Sequence, residues 1–243
     1  MGWYALSLPV TEEAAGFGER KMETTTIPAY AGIYNRYIKR MLDVAIAGIA
    51  LLILWPFYLI IAGFIAAEDG FPVLYRAERG GYLGKNFRIC KFRTMVKNAD
   101  KIGGGTTSFR DPRITKIGNI LRKTKLDEIP QLGQVLLGKM SLVGPRPELV
   151  YYVNQYQGQE LDILKVRPGI TDYSSVEFIN LDEIVGQENA DEMYEKYVLK
   201  KKNALRVKYA HTVSLKTDVF ILYRTVVAVL QKAFGFLVKK EHR

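Results

Sequence analysis

The chain has 243 residues, with 35 Lys and Arg against 25 Asp and Glu, a formal net charge of +10. Its 48% hydrophobic content is enough to bury a core and excludes wholesale disorder, while the charge favours anionic partners such as nucleic acid, phosphorylated substrates or acidic lipid. One cysteine, Cys90, excludes an internal disulfide and a cysteine-based zinc site; with two histidines, His211 and His242, any chemistry falls to carboxylates, lysine and arginine.

Residues 1–33 show no clear periodicity and read as a loosely ordered extension. An uncharged apolar run then extends from Val44 to Ala67, preceded by Lys39 and Arg40 and closed by Glu68 and Asp69. Its length reads as a membrane segment. Pro56, near its middle, removes a helix hydrogen bond and bends the axis. Straight, the run would reach about 36 Å and span a bilayer; folded back at Pro56, each half would reach about 18 Å and penetrate without crossing. Arg36, Lys39 and Arg40 before the run, and Arg76, Arg79, Lys85 and Arg88 after it, favour the same, cytoplasmic side. Sequence physics leaves a hairpin and a kinked single-pass helix both open.

From Phe71 to Met95, short apolar stretches alternate with glycine and basic residues, which predicts a few strands. Residues 101–108 (KIGGGTTS) read as a loop, and helical spacing dominates from Ile114 to Leu137. Asp191 to Tyr209 reads as a solvated charged helix, acidic early and basic late as the helix dipole favours. Between Thr217 and Lys232 the polar residues form one narrow stripe, which predicts a helix that either packs broadly in a core or, as the neighbouring apolar run and basic tail favour, lies in the membrane interface.

Gly80 to Lys85 (GGYLGK) is not a phosphate loop: Arg79 stands where its first glycine is needed and Asn86 where Ser or Thr is needed. The block from Lys116 to Glu148 says more. Asp127-Glu128 follows Arg122, Lys123 and Lys125 and precedes Ile129-Pro130, and a proline in a helix belongs in the first turn, so the dyad lies near a helix N-terminus. A carboxylate ringed by cations can ionise readily, attack phosphorus or hold Mg2+. By itself, though, such a pair is more often a cap or a surface charge. In Gly144-Pro145-Arg146-Pro147 the two prolines fix the backbone on either side of Arg146 and present its guanidinium rigidly, which suits a phosphate. Alone, this too is more often a structural turn. Lys91 and Arg93 in CKFRTM, and Arg167 in VRPGIT, are further candidate phosphate partners.

The ordered set KRMLD, an apolar segment with a central proline, KFRTM, LDEIPQL, MSLVGPRP and VRPGIT resembles the bacterial sugar transferase family, the monotopic polyprenol-phosphate phosphoglycosyl transferases, most strongly from Tyr34 to Thr171. The resemblance implies a mostly helical α/β fold with a small β-sheet, a re-entrant hairpin broken at Pro56, and amphipathic helices at the interface. Together with the reading of the residues it gives four regions: an extension without a family counterpart (1–33), a membrane anchor (34–69), a catalytic domain (70–185) and a C-terminal helical interface segment (186–243).

The implied reaction depends on Mg2+. Asp127 would attack the β-phosphate of a UDP-sugar and release UMP, and polyprenol phosphate would then take the sugar phosphate from the aspartate. Glu128 would be a metal ligand, with Asp127, or an acid/base partner. Lys91, Arg122, Arg146 and Arg167 would hold phosphate, with Gly144, Pro145 and Pro147 shaping the loop. The implied setting is the cytoplasmic face of the bacterial inner membrane, beside downstream glycosyltransferases, with a homodimer left open.

Two features depart from the pattern: DYSSVEFIN (Asp172 to Asn180) replaces a family segment, which leaves the sugar open, and Lys139 stands where many members are acidic. Against the enzyme stand a membrane-anchored basic module that binds acidic lipid or a protein partner and, opposed by the apolar run, a nucleic-acid binder.

Overall fold

The computed structural model describes residues 27–99, 111–179, 181 and 190–241, with side chains to residue 233. Most of the extension and the 101–108 loop lie outside the described residues. The architecture is mostly helical with little sheet. In chain order, α1 (Lys39–Asp69) leads into a hairpin of β1 (Leu74–Arg79) and β2 (Phe87–Phe92). Next come α2 (Lys116–Thr124), α3 (Gln131–Leu136), β3 (Ser141–Val143), α4 (Val150–Val153), β4 (Gly169–Thr171) and α5 (Tyr173–Glu177). The C-terminal segment holds α6 (Ala190–Met193), a π-helical stretch Tyr194–Leu199, α7 (Lys200–Thr212) and α8 (Leu215–Glu241). The expected small sheet is two separate pairs, β1 antiparallel to β2 and β3 parallel to β4.

The apolar run forms α1, and Pro56 lies inside it instead of dividing it into two helices. Gly70, at φ 69°, ends it. One stripe of α1 packs on the body along its length. Ala47 joins a cluster with Ile89, Val135 and Met140; beyond, Leu54, Tyr58, Ile61 and Ala62 pack against Ile65, Phe92, Leu121 and Ile129. The rest of α1, including Leu52, Ile53, Trp55, Phe57 and Phe64, is exposed. Over its most apolar 18-residue window the helix is 6% buried, the reverse of a soluble core helix.

Polar side chains at the ends of α1 fasten it to the body. Arg40 donates to the Val135 and Leu136 carbonyls at the C-terminus of α3 (2.5 and 2.8 Å), and Asp43 accepts from the Leu142 N–H (3.1 Å). At the other end, Glu68 accepts from the N–H groups of Lys116 and Ile117, capping α2 (2.8 and 3.0 Å).

The helical spacing from Ile114 to Leu137 holds two helices, with a helix start beside the dyad as the proline indicated: Lys125 takes a left-handed conformation (φ 60°, ψ 13°) that ends α2, and Pro130 opens α3. One reading of the sequence needs correction: Asp191 to Tyr209 is not a merely solvated helix. Tyr194, Val198, Lys202, Arg206 and Tyr209 are all buried, at helical spacing on one face.

Candidate active site

Between α2 and α3, a short 3-10 turn, Leu126–Glu128, carries the Asp-Glu dyad, and both carboxylates are buried. The tight turn follows from Lys125, whose left-handed backbone stops α2 and redirects the chain. Glu128 meets cations from two other elements. From the loop after β3, Arg146 makes a two-pronged contact, Nη1 to Oε2 at 3.0 Å and Nη2 to Oε1 at 2.5 Å. From β2, Lys91 Nζ lies 3.0 Å from Oε1. Burial opposes ionisation of Glu128, but Arg146 and Lys91 outweigh it and hold the carboxyl well below its usual range. In return, Glu128 raises Arg146.

Asp127 has the opposite environment. Its Oδ1 is buried without a hydrogen-bond partner, and burial pushes its carboxyl up, with Glu128 adding to the rise and Lys91, Lys125 and Arg122 opposing it. Adjacent carboxylates whose affinities for protons are driven apart are equipped for different work. Glu128 is a fixed anion that orders two cations. Asp127 is a poorly solvated carboxylate with an uncommitted oxygen.

The loop carrying Arg146 is tied on several sides. The Gly144 N–H donates to the Thr171 carbonyl (2.9 Å), the Gly169 N–H to the Pro145 carbonyl (3.0 Å), and the Arg146 N–H to Asp172 Oδ2 (3.2 Å). Gly144 and Gly169 face each other so closely that a Cβ on Gly169 would lie 2.1 Å from the Gly144 nitrogen. Pro145 and Pro147 have no N–H to satisfy, so the N–H ties of this loop fall to Gly144 and Arg146.

The remaining sequence candidates divide. Arg122 lies within electrostatic reach of Asp127. Arg167 donates to the Gly138 carbonyl (3.3 Å) and stacks over Tyr82, its guanidinium 4.8 Å from the ring centre, in no described contact with the dyad. Arg93 is structural: it holds the end of α1 through the Asp69 and Gly70 carbonyls and the Asp69 carboxylate.

Sequence reading had not assigned three nearby groups to the site. Lys125, drawn down by burial, faces Glu128, Asp127, Arg146 and Lys91. Arg79, also drawn down by burial, lies within reach of Arg146 and Glu148. Gln131, 0% exposed, has neither side-chain amide atom partnered. Lys125 was visible in the sequence as one basic residue among several. Arg79 and Gln131 carried no local signal.

Among the described residues no group of three or more His, Cys, Asp or Glu could hold a metal. Magnesium, however, is commonly held by one or two carboxylates together with substrate phosphates, and the buried Asp127 carboxylate, with hydrogen-bonding capacity unused, fits that role.

Known proteins have related sequences. A family model described as bacterial sugar transferase matches residues 34–232. The exopolysaccharide production protein ExoY of Sinorhizobium fredii is 34% identical over 222 residues, covering 85% of this chain and 90% of that protein. The UDP-glucose:undecaprenyl-phosphate glucose-1-phosphate transferase of Escherichia coli is 37% identical over 197 residues, covering 79% of this chain and 40% of that protein. The UDP-N-acetylgalactosamine-undecaprenyl-phosphate N-acetylgalactosaminephosphotransferase of Aeromonas hydrophila is 38% identical over 153 residues, covering 61% of this chain and 35% of that protein. The chain thus spans nearly the whole of one relative and well under half of the other two. From the match over residues 34–232 and these identities, the chain belongs to the bacterial sugar transferase family.

Proposed function

We propose that the protein transfers a sugar 1-phosphate from a UDP-sugar to a polyprenol phosphate such as undecaprenyl phosphate, releasing UMP, as an early membrane step of exopolysaccharide or related glycan synthesis. The observation that carries this reading is the contrast within the dyad: Glu128 is bound to Arg146 and Lys91, while Asp127 keeps a buried, unpartnered oxygen. That oxygen of Asp127 attacks the β-phosphorus, the bond to the bridging oxygen breaks, and UMP departs. Lys91 and Arg146, oriented by Glu128, neutralise charge on the diphosphate. An oxygen of the polyprenol phosphate then attacks the phosphorus of the sugar-phosphoryl aspartate and frees Asp127. Mg2+, held by Asp127 and Glu128 together with the substrate phosphates, would neutralise charge developing on the leaving phosphate. The relatives differ in the sugar their names specify, glucose in one and N-acetylgalactosamine in another, so the donor proposed here is a UDP-sugar without a named hexose.

A re-entrant seat on the cytoplasmic face of the inner membrane completes the reading. Contacts of α1 with the body occur on both sides of Pro56, at Ala47 and at Leu54 to Ile65, which suits a bent, non-spanning helix better than one leaving the domain for the far leaflet. Exposed Val219, Phe220, Tyr223, Val226 and Leu230 on α8 offer a second apolar surface to the same interface.

The test is UMP release from a panel of UDP-sugars by purified protein with Mg2+ and undecaprenyl phosphate. The expected result is release with at least one donor, reduced at least about 1000-fold in Asp127→Asn. Undiminished release in that variant would remove Asp127 as nucleophile, and no release with any donor would count against the transfer itself.

A further inference from the structure

Two residues beyond Arg146, Glu148 joins the loop to the C-terminal helices. Its carboxylate accepts from the Tyr194 hydroxyl, from Arg206 Nη2 at 2.9 Å, and from the Leu149 N–H at 2.9 Å. Its carbonyl accepts from the Gly80 N–H at 3.0 Å. Arg206 is 1% exposed and its other prong donates to Asn203 Oδ1 at 2.9 Å; Asn203 in turn donates to Glu160 Oε1 at 3.0 Å. Burial works against ionisation of Glu148, yet Arg206 and the Tyr194 hydroxyl bring its carboxyl down to about 2.

An ion pair this deep roughly breaks even against apolar side chains of the same volume, so stability alone accounts poorly for it. What it fixes is direction. The other ties on the loop run to Gly80 and to residues 169–172. The carboxylate of Glu148 is what connects the loop to Tyr194 and Arg206, about three turns apart on the buried stripe that a solvated helix would lack.

We infer that Arg206 and Tyr194 are positioning residues for Arg146: acting through Glu148, they fix where its guanidinium meets Glu128 and the donor diphosphate, and the C-terminal helical segment is thereby part of the catalytic apparatus. The inference rests on the phosphate transfer proposed above. Neither residue touches the reacting atoms. Their effect is to keep a two-pronged donor within the narrow tolerance that phosphoryl transfer requires.

The decisive variant combines Glu148→Leu, Arg206→Met and Tyr194→Phe, which removes both partners of the buried ion pair together with the hydroxyl that donates to it, so that neither Glu148 nor Arg206 is left without the other. The expected result is an unfolding midpoint close to wild type, with kcat/KM for UMP release lower by about 10- to 100-fold. Adding Arg146→Lys should then cost less than it does in the wild type, because the two perturbations act on one group. Wild-type kcat/KM in the folded triple variant, or losses that simply multiply, would overturn the inference. If the triple variant does not fold, Arg206→Lys replaces it, keeping the charge and losing the fork: reduced kcat/KM at an unchanged midpoint is expected, and unchanged kcat/KM would overturn the inference.

Hydrogen exchange supplies a readout independent of activity. Amides of residues 144–149 should exchange faster in the variant while those of β1 and β2 stay as they were, and unchanged exchange at 144–149 would overturn the positioning role. Should the wild type release no UMP, the transfer reading fails, and exchange at 144–149 still decides the positioning.

Discussion

Both oxygens of Glu128 are hydrogen-bonded to cations, whereas Oδ1 of Asp127 has no hydrogen-bond partner, and from that difference follow most expectations for single residues. Arg146→Lys retains charge but cannot make the two-pronged contact, so kcat/KM for UMP release should fall about 100-fold or more with little change in fold, as steady-state kinetics beside circular dichroism would show. Gln131→Met replaces a fully buried amide whose polar atoms have no partner; relief of about 1–3 kcal/mol should raise the thermal midpoint, and a lower midpoint would count against an orphaned amide.

Lys202 gives a pH-dependent case. It is buried beside Arg206, with Glu148, Arg146 and Asp172 in reach and the rings of Tyr194 and Phe178 at 5.0 and 5.9 Å, and burial lowers its pKa from 10.5 to about 7. Between about pH 7 and 10 the unfolded chain holds the proton that the folded chain has lost, so this residue makes wild-type stability rise with pH, by at most about 1.4 kcal/mol per unit. Lys202→Met lacks that slope. Its stability advantage should be largest below pH 7 and shrink toward pH 10, measured as the difference in unfolding midpoint between the two proteins; a difference independent of pH would contradict the lowered pKa.

At the scale of elements, the short pair β3–β4 carries the candidate site because Gly144, just after β3, and Gly169, in β4, allow the backbones to touch. Gly169→Ala places a methyl against the Gly144 backbone and should destabilise by about 1–3 kcal/mol, moving the Arg146 loop as it does so; chemical denaturation and UMP release should therefore both worsen. The helical pattern from Ile114 to Leu137 was legible, and so, from Pro130, was the start of α3, but the left-handed turn at Lys125 was not. A lysine disfavours the left-handed conformation, and what holds Lys125 there is tertiary: α2 is capped from α1 by Glu68, while Arg40, also of α1, holds the far end of α3. The helix from Asp191 to Tyr209 was legible as a helix and misjudged in exposure, because nothing local marks Arg206 as the partner of a glutamate 58 residues earlier.

For the whole molecule, the exposed apolar surface of α1 is compatible with a membrane anchor, and Lys39 paired with Asp218 at 2.5 Å joins that helix to the start of α8. If α1 dips into one leaflet, both of its flanks lie on one side. In a Cys90→Ser background, single cysteines replacing exposed Arg36 and exposed Glu78 should react with an impermeant maleimide from the cytoplasmic side alone. Labelling of the two positions from opposite sides would make α1 a spanning helix.

The sequence by itself determined the long apolar helix, the amphipathic C-terminal helix, the basic character and the identity of the dyad, because composition, hydrophobic periodicity and short motifs are local properties of a chain. Arg146 and Lys91 could be named from their motifs, yet only the tertiary structure brought both onto Glu128 and left Asp127 with a free oxygen. It also sent Arg93 to the end of α1, Arg167 to Gly138, and Arg206 to Glu148. A charged side chain reads the same in sequence whether it faces water, a backbone carbonyl or a carboxylate. Which of these it meets is settled by contacts between distant segments, and burial then decides how strongly each charge is felt.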